Sequence, residues 1–112
     1  MAVDFRSETL NVPNGTGRKR LFGTTTFPSQ VNRAAVTLNG FKVDFADDDH
    51  HINIVEIDTD LGGHPSPSAG EPPPPPIEGN KVRWTAEVYY ADKNFDDAYS
   101  GYVTVTVVVD RL

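Results

Sequence analysis

From Val82 to Tyr90 apolar and polar side chains alternate without a break. Val82, Trp84, Ala86, Val88 and Tyr90 share one parity, and Arg83, Thr85 and Glu87 the other. Successive side chains of a strand point to opposite faces, so this run predicts a half-buried strand with the chain's only tryptophan turned inward. A second run begins after a polar stretch. Val103, Val105, Val107 and Val109 fall on one face, and Tyr102, Thr104, Thr106 and Val108 on the other. Every residue from Val103 to Val109 is valine or threonine, whose branching at Cβ stiffens χ1 and disfavours helix. Two antiparallel strands joined by a long, polar, aromatic-bearing loop are therefore fixed features of any fold this chain can adopt.

The remaining segments point the same way. Val3 and Phe5 alternate with Asp4 and Arg6, a short strand signal inside an N-terminal arm and loop expected over residues 1–20. Asn11 to Gly17 is dense in turn residues. Leu21 to Phe27 reads as a strand ended by Pro28. Ala34, Val36 and Leu38 alternate up to Asn39-Gly40, and Phe41, Val43 and Phe45 alternate after it with the parity changed. That dipeptide is either a tight hairpin turn or a bulge within one long strand. Ile52 to Ile57 is apolar on both parities, as expected of a central strand covered on two sides. Residues 62–80 hold seven of the nine prolines, including the unbroken Pro72–Pro76. Such a run favours polyproline II and cannot pair inside a sheet, so it reads as an excursion between two strands. A ligand for a proline-reading domain is the less economical alternative. No stretch shows helical periodicity. The expected architecture is a single all-β domain spanning residues 1–112, an antiparallel β-sandwich of six to seven strands.

Length and charge narrow the function. A chain of 112 residues is long enough to bury a core without staples, and it has no cysteine for disulfides, thiolate metal sites or cysteine nucleophiles. A net charge of −6 argues against nucleic acid as a partner, since phosphate rewards a basic face. Arg18-Lys19-Arg20, after Gly15-Thr16-Gly17, lacks the spacing and the hydroxyl residue of a phosphate-binding loop. No apolar run reaches the length of a membrane span. The N-terminus has no basic head followed by an apolar stretch, so no cleaved secretory signal is expected. That leaves cytoplasmic synthesis, with extracellular display by a route lacking a cleaved signal or within a particle. Asn14-Gly15-Thr16 fits a glycosylation sequon, which without secretion carries little.

Two clusters carry chemistry. In Asp47-Asp48-Asp49-His50-His51, carboxylates and imidazoles are ligands suited to zinc or a similar ion, with Asp47, Asp49, His50 and His51 the candidate metal ligands. Neither calcium-loop spacing nor a His-x-x-x-His pair is present, so a charged loop is the simpler account and no cofactor is expected. The second cluster comprises Tyr89, Tyr90, Asp92, Asn94, Asp96, Asp97 and Tyr99. Sugars bind where aromatic faces cover their C–H patches while carboxylates and amides meet their hydroxyls, and this stretch supplies both kinds of group. Core packing of Tyr90, on the Trp84 parity, is the competing reading. No serine lies in a Gly-x-Ser-x-Gly elbow, and a sandwich this small offers little depth to enclose a reacting substrate, so catalysis is not expected.

The order of these segments resembles the H-type lectin domain, the sandwich of the snail agglutinins and of one discoidin domain, over roughly residues 20 to 110. The features that carry the resemblance are the phenylalanine-anchored strand leading to Phe27-Pro28-x-x-Val31, the alternation through Leu38, the Ile52–Ile57 strand, the aromatic-Asp loop and the final valine-rich strand. It implies a non-catalytic binder of galactose- and N-acetylgalactosamine-type glycans, assembled as a homo-oligomer, a trimer in that family. It places Tyr90 and Asp92 at the family's aromatic-x-Asp element and His51 as the third sugar-contacting group. The tryptophans that family carries in this loop and in its last strand are absent here, and the proline-rich stretch is an addition. Independently, the second face of the last strand (Tyr102, Thr104, Thr106, Val108) is the kind of flat surface that a partner subunit covers. The alternative function is a structural or attachment subunit of a phage, an injection particle or a surface assembly. A metal-dependent enzyme using Asp47, Asp49, His50 and His51 is a third.

Overall fold

The computed structural model describes residues 2–46, 52–92 and 97–112. They form seven strands: β1 (Ala2–Gly15), β2 (Lys19–Thr26), β3 (Val31–Phe45), β4 (Ile52–Leu61), β5 (Ile77–Glu78), β6 (Lys81–Asp92) and β7 (Tyr99–Arg111). One sheet has the order β1-β7-β3. The other has the order β2-β6-β4, with β5 also paired to β6, and every pairing is antiparallel. The Cα trace measures 51 × 35 × 16 Å, the thickness of two stacked sheets. The protein is a β-sandwich. No helix among the described residues is long and apolar enough to cross a membrane.

The two runs that the alternation singled out are the central strands of different sheets, so β6 and β7 face each other across the core without pairing. Val82, Trp84, Ala86, Val88 and Tyr90 meet Val103, Val105, Val107 and Val109, all of them buried. Trp84 donates its Nε1–H to Thr25 Oγ1 at 3.0 Å, which satisfies the one polar atom of its ring. Its indole lies across Gly23, its register partner on β2. A Cβ on Gly23 would stand 2.2 Å from that ring, so glycine is required there by close approach.

Two segments differ from their sequence expectation, and at a third the structure decides between the two alternatives. The N-terminal arm and loop is a full strand, since β7 offers a complete backbone ladder to β1 from Ala2 to Val12; Pro13 is tolerated because it sits within the register shift between Val12 and Gly15 on an edge strand. Asn39-Gly40 is the bulge, not the hairpin. Register slips by one between Leu38 and Gly40, which restores Phe41, Val43 and Phe45 to the inner face of a single 15-residue β3. Strand β4, expected at the centre of a sheet, lies at an edge, with β6 as its only ladder partner among the described residues. A register shift between Ile52 and Ile54 brings apolar residues of both parities, Ile52 as well as Val55 and Ile57, to the inner face, where Ile52 and Val55 are largely uncovered.

The proline-rich stretch is the expected excursion, docked on β6 beyond the point where β4 ends. Gly62 N–H donates to Arg83 O, Arg83 N–H to Pro76 O, and the Arg83 guanidinium to Pro75 O and Glu78. Prolines can accept but not donate, so Arg83 supplies the donors that hold them. His64 closes the outer side of the same sheet. Its Nε2 lies 3.0 Å from both Gly23 O and Trp84 O, two acceptors that require the Nε2–H form.

Candidate functional site

The turn between β1 and β2 and the C-terminal end of β6 meet at one end of the sandwich. There they bound a cavity of about 140 Å³ lined by Thr16, Gly17, Tyr89, Tyr90, Ala91 and Asp97. Gly17 has φ +83°, a left-handed conformation that glycine adopts without strain, and this lets the turn fold back over β6. Tyr99, fully buried at the start of β7, donates its hydroxyl to Gly17 O and fixes the turn. Lys19 then donates to Tyr99 O at 2.8 Å and to Pro13 O, with its ammonium 3.6 Å from the Tyr99 ring centroid. Partial burial pulls the Lys19 pKa down, and these partners offset that cost.

Alternation explains how the tyrosines divide. Tyr90 shares the parity of Trp84 and is buried, packed edge-to-face on Tyr99 at 4.9 Å and stacked at 6.2 Å on Phe41. Burial, then the neighbouring Tyr99, pushes its pKa up to about 12, so it carries its proton at any physiological pH. Its hydroxyl has no hydrogen-bond partner among the described residues, although the residue contributes to the cavity wall. Tyr89 has the opposite parity and lies on the outer face of its sheet. The Arg18 guanidinium stands 5.0 Å from its ring centroid, and Arg18 itself is held by Glu56 at 2.8 Å and by Glu87 at 3.7 Å. The bond that Arg18 donates to Glu56 raises the Arg18 pKa, so this cation is permanent.

Of the residues expected to contact a sugar, the structure brings Tyr89, Tyr90 and Asp97 to one cavity. Tyr99 stands behind it as support, and Asp92 is buried in the sheet. Among these, burial leaves Tyr89 and Asp97 as the side chains within reach of solvent. Asn94, Asp96 and His51 lie outside the described residues, as do the candidate metal ligands Asp47, Asp49 and His50. Among the described residues, no cluster of three or more His, Asp or Glu side chains is arranged to hold a metal ion. The sequence reading missed Thr16, Gly17 and Arg18. The turn signal at Asn11–Gly17 and the basic triplet after it were visible, but their place beside Tyr89 follows only from the pairing of β2 with β6.

Against protein-family models, curated proteins and solved structures, the chain gives no match.

Proposed function

We propose that this protein is a non-catalytic carbohydrate-binding module for galactose- or N-acetylgalactosamine-type sugars, acting as a homo-oligomer. The observation that carries the reading is the cavity itself, which joins an aromatic side chain, a carboxylate and a glycine turn in about 140 Å³. A void of about 150 Å³ accepts one six-membered ring. Tyr89 supplies an aromatic surface for the C–H face of a sugar, and Asp97 an acceptor for its hydroxyls. The sugar class comes from the resemblance to H-type lectins. Among the described residues the lining has one carboxylate, Asp97, where glycoside hydrolysis uses a pair.

A glycan array probed with the wild-type protein, Tyr89→Ala and Asp97→Asn tests this reading. Selective binding to galactose-type glycans, lost in both variants while their circular dichroism is unchanged, supports it. Sensitivity to EDTA would bring the Asp47–His51 segment into the site. A blank array from a stably assembled protein would favour the second reading, a structural or attachment subunit. The uncovered apolar surface along one side of the sandwich speaks for that alternative.

A further inference from the structure

The sandwich has two long open sides, one between edge strands β1 and β2 and one between β3 and β4. On the β3/β4 side, register places Leu38 and Phe41 opposite Val105 and Val103, and Val55 opposite Tyr90, so all three point into the space between the sheets. Inward-facing apolar residues are ordinarily covered, yet Leu38 is 42% exposed, Phe41 45% and Val55 48%, with Ile52 beside them at 56%. These described residues leave the core only half covered along this side.

We propose that the β3/β4 side is where a second copy of this chain docks, with β4 of one copy against β3 of the other, closing both cores at once. This specifies the surface behind the homo-oligomer reading and rests on that reading. Charge identifies the occupant. Strand β3 carries Arg33 and Lys42 with a single carboxylate, Asp44, while β4 carries Asp58 and Asp60 besides Glu56, which Arg18 already pairs, and no cation. The internal pairs of the two cations are exposed and long, Arg33–Asp110 at 3.4 Å and Lys42–Asp44 at 3.3 Å, so both are available to a stronger partner. A two-fold contact that sets β4 beside β3 brings acid to base twice, whereas β4 against β4 would oppose Asp58 and Asp60 of one copy to those of the other. The outer face of β7, the surface expected from sequence to be covered, is the weaker candidate. Its hydroxyls are partly satisfied within the sheet, Thr9 with Thr104 at 3.0 Å and Ser7 with Thr106 at 3.4 Å.

Light scattering of the wild-type protein, of Val55→Lys and Leu38→Glu, and of Phe5→Asp on the outer face of the β1-β7-β3 sheet tests the assignment. The expected result is an assembled wild type, dissociation at least about tenfold easier in Val55→Lys and Leu38→Glu, and an unchanged Phe5→Asp. An assembled wild type that survives both seam variants and falls apart with Phe5→Asp overturns this docking surface but keeps the homo-oligomer. A wild type that stays monomeric up to roughly 1 mM overturns both. If the seam variants misfold, exposed charges decide. Asp58→Lys/Asp60→Lys and Arg33→Glu/Lys42→Glu should each assemble poorly alone and recover when mixed, since β4 of each variant then meets opposite charge on β3 of the other. Failure to recover on mixing contradicts the proposal.

Discussion

The two long sides of this sandwich face the same problem, an edge where the inner faces of two sheets meet water, and they treat it in opposite ways. Between β1 and β2 the inward positions carry charge. Asp4, Arg6 and Glu8 lie opposite Val109, Val107 and Val105, and Lys19 lies opposite Val88. Asp4, Arg6 and Lys19 are used locally. Asp4 accepts from Arg111 at 2.9 Å, Arg6 stands 5.6 Å from the Phe27 ring centroid, and Lys19 holds Tyr99 and Pro13. Inward-pointing charge is a device by which natural sheets refuse edge-to-edge pairing. Between β3 and β4 no described inward position of either strand is charged, and the apolar side chains there are half uncovered. A chain able to blunt one side and leaving the other apolar has one side finished and one side open for contact.

Substituting the same residue type on each side measures that contrast most sharply. Phe27 is buried beneath Arg6, and Phe27→Ala should cost about 3–5 kcal/mol in urea denaturation. Phe41, half exposed, should cost under about 2 kcal/mol as Phe41→Ala under conditions where the protein is monomeric. Equal losses would erase the distinction. Lysines give the next contrast. Lys19→Met removes two hydrogen bonds to backbone carbonyls and should cost about 1–2 kcal/mol, while Lys42→Met, at an exposed pair, should stay within about 0.5 kcal/mol.

Titration probes the two sides through their tyrosines. Tyr90 ionises in the unfolded chain near 10.0 and in the folded protein near about 12, so the folded state binds more protons between those values and stability falls as pH rises through them. Tyr99, also raised by burial, acts in the same direction. The alkaline loss should shrink in Tyr90→Phe, which leaves the Phe41 stack, and in Tyr99→Phe, which releases Gly17. Denaturation midpoints from pH 9 upward, with tyrosinate absorbance read alongside, check this. The smallest effect is at the acid end. The Arg111 bond lowers the Asp4 pKa, so its contribution is present above 3.8 and fades as pH falls through the lowered value; Asp4→Asn should flatten that arm of the curve.

Period-two alternation made the centre of the fold legible. The valines of β7 and the Trp84 face of β6 are buried as their parity requires, because a central strand has a neighbour on each side and a sheet over one face. The edges were not legible, because a local pattern does not record which strand lies last. Ile52–Ile57 has the composition of a central strand and lies at an edge. Asp4 and Arg6 look like solvent-facing residues of an arm, yet they point inward. The site divides in the same way. Parity alone separates inward Tyr90 from outward Tyr89, while Thr16 and Gly17 reach them through pairing between strands distant in sequence.

A chemical-shift titration of the isotope-labelled protein with N-acetylgalactosamine and galactose tests the central claim most directly, because it reports where a sugar sits as well as whether it binds. A sugar seated in the cavity should give saturable shifts grouped on Thr16, Gly17, Tyr89, Ala91 and Asp97, with the β1/β2 and β3/β4 edges unmoved. A spectrum unchanged at roughly 10 mM sugar, well above the millimolar affinities of weak ligands, or shifts confined to another surface, would contradict it.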